Sequence, residues 1–360
     1  MNGALNRFVT NQPARLFART FIALVTCLFW VGSSGCAADS TSADESAPDR
    51  HRLDDQLRLN HVQAKGTHNS YHLKPKVALQ PWDYSHAPLL EQLEKQGVRQ
   101  FELDLFWNAD KDDYDVLHFP QIDAETTCET LTICLEGVRR WLAKRPGALP
   151  PMLWLEPKDE DDPTKSDPAY ARLEAIVKAV KWPRGIVTPD DVRGDAKDLK
   201  TAIATTGWPT LGQVRGKPMF VMLDGGSHRD AYVKPDPSLK GRLLFAEGGP
   251  DDPWGVVAKI DNPLTAKAKI QAAVKAGRLI RTRADTNSAE RKSNDKTRLQ
   301  AGLESGAQAI STDYPAKVEG VAYFVDIPGG SPARCNPITA PAACTTDDVE
   351  KLDPLPLDAF

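Results

Sequence analysis

The chain has 360 residues, 41% of them hydrophobic and 26% charged, with a formal net charge of -4. That length holds one large domain or two small ones. The first 37 residues contain Arg7, Arg15 and Arg19 and no acid, so 42 of the 45 Lys and Arg face 49 Asp and Glu in the rest, a balance of -7. An acidic body excludes nucleic acid as the main partner, because neutralising phosphates needs a surplus of Lys and Arg, and it excludes strong electrostatic adhesion to an anionic bilayer.

In chain order, the arginines come first, then an apolar run from Phe21 to Val31, then Gly32, Ser33, Ser34 and Gly35. A charged region, a short apolar core and a small-residue exit read as a secretory signal over residues 1–37. The run is shorter than a comfortable bilayer span, and a retained anchor is the competing reading. Cys36 follows Gly35 and is a position for lipidation, although Ser33 stands where such signals carry Leu. The protein is therefore expected to be exported: secreted, periplasmic or lipid-anchored at Cys36. Cys27 lies inside the signal. The other four cysteines form two local pairs, and in an oxidising compartment Cys128–Cys134 and Cys335–Cys344 disulfides are expected, among the three pairings that four cysteines allow. A zinc site is disfavoured, because no CxxC spacing occurs and no histidine lies near either pair.

Residues 38–57 are polar and turn-rich, as in a flexible linker. From residue 58 short apolar strands alternate with amphipathic helices. Strands are predicted over 61–67, 100–106, 115–119, 152–158, 219–223, 242–247, 278–285 and 307–312. Leu131, Leu135, Val138, Trp141 and Leu142 mark one helical face, Leu173, Ile176, Val177 and Val180 another, and residues 291–305 a polar helix. Eight strands with intervening helices predict an α/β fold, a distorted (β/α)8 TIM barrel over residues 58–325. Residues 326–360, rich in Pro, Ala and Asp, read as an extension stapled by the second cysteine pair.

In such barrels the reactive groups sit at the C-terminal strand ends. His68 and Asn69 follow the first strand. Glu102 and Asp104 lie two apart on the second, so both leave the same face. His118 ends the third, and Glu156 and Lys158, again two apart, end the fourth. Barrel cores are ordinarily apolar, so three carboxylates here need a partner. Asn69, Glu102, Asp104 and Glu156 are oxygen donors without thiolate or imidazole, a set that suits Ca2+ and, less well, Mg2+. The competing reading is an internal salt-bridge network in which Lys158 and Lys65 pair the acids. His51, His61, His72, His86 and His228 read as surface or structural.

The run GTHNSY at residues 66–71, FELDL at 101–105, LHF at 117–119 and LWLEPKD at 153–159, with LIRTRAD and SGAQAISTDYP later, resembles the phosphatidylinositol-specific phospholipase C superfamily, and most closely its calcium-dependent secreted bacterial branch. The resemblance covers roughly residues 58–318. It implies that His68 and His118 are catalytic, that Asn69, Glu102, Asp104 and Glu156 bind calcium, and that Lys158 and Arg283 lie near the substrate phosphate or inositol. It also implies a phospholipid or other phosphodiester substrate at a membrane surface, attack by the inositol 2-hydroxyl, and release of diacylglycerol and a cyclic inositol phosphate. No nucleic-acid or protein partner is implied. Glycerophosphodiester phosphodiesterases share the barrel, two histidines and an acidic metal site, but carry His-Arg-Gly and His-Asp where this chain has His68-Asn69-Ser70 and His118-Phe119. The remaining alternative is a non-catalytic, calcium-dependent binding barrel at a cell surface.

Overall fold

A computed structural model describes residues 51–77, 80–158, 170–287, 289–330, 332–351 and 353–360. The expected signal, Cys27, Cys36 and the first part of the expected linker lie outside the described residues. Contacts divide the chain at Glu45/Ser46, and every described residue belongs to the second unit. Among the described residues no helix is long and apolar enough to cross a membrane.

Eight parallel strands form a nearly closed barrel. They are β1 (Val62–Thr67), β2 (Val98–Asn108), β4 (Met152–Pro157), β5 (Met219–Met222), β6 (Leu244–Ala246), β7 (Val257–Lys259), β8 (Leu279–Arg283) and β9 (Ala309–Thr312). The order round the ring is β1-β2-β4-β5-β6-β7-β8-β9, with β9 returning to β1. The seam between β6 and β7 is a single bridge, Glu247 to Val257, and no helix lies between those two strands. Two further strands lie off the ring. β3 (Asp113–Val116) pairs antiparallel with the far half of β2, and β10 (Ala333–Cys335) pairs antiparallel with the first half of β1.

The strands are apolar outside because helices cover them. α1 (Leu89–Glu94) and α2 (Leu131–Lys144) pack against each other and flank β2 and β3. On α2, Leu131, Leu135, Val138, Trp141 and Leu142 are fully buried, the face predicted from the helical spacing. Thr130 caps the helix, its side chain accepting from the Ile133 N–H. Arg99 lies over the Trp141 ring at 4.6 Å and pairs with Glu350 of the tail at 2.8 Å, which fixes the tail to the base of β2. Both expected disulfides are present: Cys128–Cys134 closes the entry to α2 and Cys335–Cys344 closes the tail.

Four expectations need correction. Residues 115–119 do not form a barrel strand: the turn at residues 109–112 folds β3 back on β2, so His118 stands in the loop after a hairpin. The eighth barrel strand is β7, three residues long after a Gly- and Pro-rich loop. The polar helix at 291–305 is two helices, Ala289–Ser293 and Thr297–Ser305, broken at Asn294, whose φ is 51°. Residues 51–57, counted with the linker, are folded: Leu53 and Leu57 are buried, and Asp54 pairs with buried Arg215 at 2.8 Å.

Gly66 is required where β1 meets β2. The register shifts between Lys65 and Gly66, and a Cβ at Gly66 would lie 2.1 Å from the Gln100 Oε1 and 2.9 Å from its Cβ. A bare backbone there lets β1 deliver His68 and Asn69 to the rim beside β2.

Candidate active site

β2 and β4 carry the acidic cluster. Across the parallel ladder Asp104 is registered with Glu156, and Glu102 lies two residues earlier on the same face of β2. One oxygen from each of the three carboxylates lies within 4.8 Å of the others. The turn leaving β1 brings Asn69 beside them: the Ser70 N–H donates to the Glu102 carbonyl at 2.9 Å, and the Ser70 hydroxyl accepts from the Glu102 N–H at 2.8 Å. Asn69 is buried at φ 42°, a left-handed conformation that Asn tolerates better than most residues.

Two cations reach this cluster. Lys158, on the rim after β4, pairs with Glu156 at 2.8 Å and with Asp104 at 3.4 Å. Arg281 of β8 pairs with Glu102 and, at 2.7 Å, with Asp261. Lys65 does not take part; its ammonium donates to the carbonyls of Pro315 and Val325 and pairs with Asp326 at 3.7 Å. Burial pushes the Glu102 carboxyl up, but the surrounding cations, Arg281 foremost with His68, Lys259 and Arg283, together outweigh it and hold the group at about 2. For Asp104, burial and the facing Glu156 charge act together and push its carboxyl well above its usual range.

A cation fits this cradle. Asp104 is 1% exposed, yet the charged group that reaches it, the Lys158 ammonium, stands off at 3.4 Å, with the Tyr71 hydroxyl beside it. Buried carboxylates so crowded need a shared cation or a shared proton. The donors are oxygens with three formal negative charges, a hard set of the kind calcium takes.

The two histidines are each held by a carboxylate. His68, at the end of β1, donates from Nδ1 to Asp313 at 2.8 Å. Asp313 follows β9 and accepts a second bond, at 2.8 Å, from Arg283 of β8. Arg283 also reaches Asp285 at 3.4 Å, and the Asp285 carboxylate accepts from the Asp313 N–H and the Thr312 hydroxyl. Burial would raise the Asp313 carboxyl, but Arg283 and His68 more than offset it and hold it well below the usual range. Arg283, expected near the substrate, is thus buried and committed to two carboxylates, whereas the Lys158 side chain is 30% exposed at the rim.

His118 donates from Nδ1 to Asp123 at 2.7 Å, and Asp123 is 1% exposed. Burial lowers the His118 pKa, and the Asp123 carboxylate works against that shift. Lys158 and His68 also oppose a charge on His118. In both histidines the carboxylate on Nδ1 fixes the tautomer and leaves Nε2 for chemistry.

Sequence reasoning missed Asp123 and Asp313. Asp313 stood in the quoted STDYP run, where its position after a barrel strand was a usable signal; Asp123 had none beyond its closeness to His118. His72 and His86 are also more than background. His72 is fully buried against Asp123, and the His86 Nε2 donates to the His68 carbonyl at 2.9 Å.

The description "Phosphoinositide phospholipase C, Ca2+-dependent" belongs to a family profile that matches residues 57–115 and 107–337. Among solved structures, a calcium-dependent phosphoinositol-specific phospholipase C from Pseudomonas sp. is similar at 18% identity and TM-score 0.54, covering 75% of this chain and 96% of that one. A Ca2+-dependent phosphatidylinositol-specific phospholipase C from Streptomyces antibioticus is similar at 18% identity and TM-score 0.54, covering 72% and 95%. These likenesses establish the barrel type. Among curated proteins none matches the chain in sequence. With most of the barrel inside the family match, the chain belongs to the Ca2+-dependent phosphoinositide phospholipase C family and is an enzyme of the phosphodiesterase class.

Proposed function

We propose that the protein cleaves phosphatidylinositol, or a closely related inositol phospholipid, to diacylglycerol and a cyclic inositol phosphate. The observation that carries this reading is the pair of histidine–carboxylate dyads, His68–Asp313 and His118–Asp123, beside a buried carboxylate cluster. Two oriented imidazoles are what an internal displacement at phosphorus requires, one to take a proton and one to give it.

The inositol 2-hydroxyl attacks the adjacent phosphorus, so the nucleophile is already part of the substrate and positioning supplies much of the barrier reduction. His68, with its Nδ1–H on Asp313, accepts the hydroxyl proton at Nε2. Glu102 is a poorer base, because Arg281 holds its carboxyl low. The phosphorus–glycerol oxygen bond breaks, and His118, entering the step as the imidazolium with its Nδ1–H on Asp123, delivers its Nε2 proton to the departing oxygen. Lys158 faces the transferring phosphate from the rim. Arg283 acts at one remove, by holding Asp313 against His68. Asn69, Glu102, Asp104 and Glu156 would hold Ca2+, which when bound acidifies the hydroxyl and neutralises charge on the phosphorane.

A lipid substrate also accounts for apolar side chains at the mouth. Phe119 follows His118, its ring 4.3 Å from the imidazole, and is exposed; Ile122 and Val77 are exposed and line one groove with Lys76. Such a rim would face the bilayer where diacylglycerol departs. Two disulfides suit export, and we extend the proposal to a secreted, periplasmic or Cys36-anchored enzyme.

The test is turnover of phosphatidylinositol vesicles with and without calcium, with the products separated. Release of a cyclic inositol phosphate is expected, with loss of activity in chelator and in His118→Ala. Release of glycerol phosphate instead, or full activity in excess chelator, would overturn the reading.

A further inference from the structure

His72 has no part in the proton transfers above, yet it is among the most tightly held polar side chains near the site. It lies four residues past His68 and is 0% exposed. Its Nε2 donates to Asp123, 3.0 Å from Oδ1 and 3.1 Å from Oδ2, and its Nδ1 faces the Tyr84 carbonyl at 3.1 Å. The ring packs on Tyr84 with centroids 4.4 Å apart. Oxygens beside both nitrogens fix the ring plane, because a flip would set C–H groups against them. The backbone is pinned as well: the His72 N–H donates to the Asn69 carbonyl and its carbonyl accepts from the His86 N–H, both at 2.9 Å.

Asp123 therefore stands between two imidazoles, with His118 Nδ1 at 2.7 Å on Oδ2. Among the described residues these two rings are its side-chain donors. A buried carboxylate with one donor would be free to turn and would set its whole charge against that donor. We propose that His72 is a positioning residue for the reaction: as the second donor to Asp123 it fixes that carboxylate and shares its charge, and so sets the direction and acid strength of the His118 ring. The proposal rests on the phosphodiesterase reading of the site. The titratable and charged groups facing His118 are Asp123, His72, His68 and Lys158; those facing His72 are Asp123, Asp313, His86 and Tyr84.

The sign follows from the sharing. Without His72 the Asp123 charge falls on His118 alone, its imidazolium is stabilised, and it becomes a weaker acid. His72→Leu should lower kcat on phosphatidylinositol by about 10- to 100-fold, the range for lost support of an active group, with KM and calcium affinity little changed. The alkaline limb of its pH–rate profile should move to higher pH. His72→Gln, which keeps an amide donor near the Nε2 position, should recover most of the loss. In an Asp123→Asn background, His72→Leu should cost nothing further, because the residue through which it acts is gone. NMR titration of His118 in the substrate-free protein reads the same coupling and should show its pKa raised in His72→Leu. Equal impairment of the Leu and Gln variants, a full effect in the Asp123→Asn background, or an unmoved His118 titration would overturn the proposal. Failure of the wild-type protein to release a cyclic inositol phosphate would instead overturn the phosphodiesterase reading, and the NMR coupling would still stand or fall separately.

Discussion

Acid should destabilise this protein beyond what its carboxylates dictate, through His86. The residue is 4% exposed; its Nε2–H donates to the His68 carbonyl at 2.9 Å, and its Nδ1 meets no hydrogen-bond partner. Protonation would place a charged N–H in that unpartnered position. Burial accordingly pulls the His86 pKa from 6.5 down to about 4, against the opposing pull of Asp313. Between those values the unfolded chain binds a proton that the folded protein refuses. Stability therefore rises with pH across the window: the contribution is complete above 6.5 and is lost as pH falls towards 4. A gap of about 2.5 pH units corresponds to about 3 kcal/mol. Urea denaturation at about pH 7.5 and about pH 4.5, on the wild type and on His86→Gln, separates this from the titration of carboxylates. The Gln amide can still donate to the His68 carbonyl but does not titrate. The wild type should lose about 2 to 3 kcal/mol more than the variant over that interval. Equal losses would refute the reasoning.

Asp313→Asn keeps the shape of the His68 partner and removes its charge; kcat should fall by about 100- to 10,000-fold with KM nearly unchanged, and a fall of less than about threefold in steady-state kinetics would remove the dyad from the mechanism. Asp104→Asn takes one charge from the cluster, so calorimetric titration should show calcium affinity reduced by at least about tenfold. The same variant should melt no lower than the wild type in chelator, because crowding with Glu156 is relieved. Gly66→Ala drives a methyl group into the fully buried Gln100 side chain, and thermal or denaturant unfolding should report a loss of about 2 kcal/mol or more.

Much of this architecture was legible in the sequence, because apolar runs of strand length and two-residue spacing are direct imprints of a barrel. Glu102 and Asp104, and Glu156 and Lys158, were readable as pairs because residues two apart share a strand face. The strand count was right by a compensation of errors. DVLHF has the composition of a barrel strand, and nothing in composition distinguishes a parallel partner from the return arm of a hairpin. β7 is only Val257–Lys259, too short to stand out from its neighbours. Asp123 and Asp313 escaped for a different reason: each acts on a histidine through space, and for Asp313 the partner lies 245 positions away. The same holds for Arg283, whose place near the site was legible but whose two carboxylate partners were not.

The single bridge between β6 and β7 has a mechanical meaning. In a ring of eight strands that seam lies across from the junction of β1 and β2, where the turn carrying His68 begins. The ladder from Gln100 to Leu105 that sets Asp104 against Glu156 is continuous, whereas the far wall has a single ladder bridge. Breathing of the barrel should therefore concentrate at the seam, and its amides should exchange with solvent before those of β2 and β4. The compliance of the wall is placed on the side where it does least to the spacing of the carboxylates.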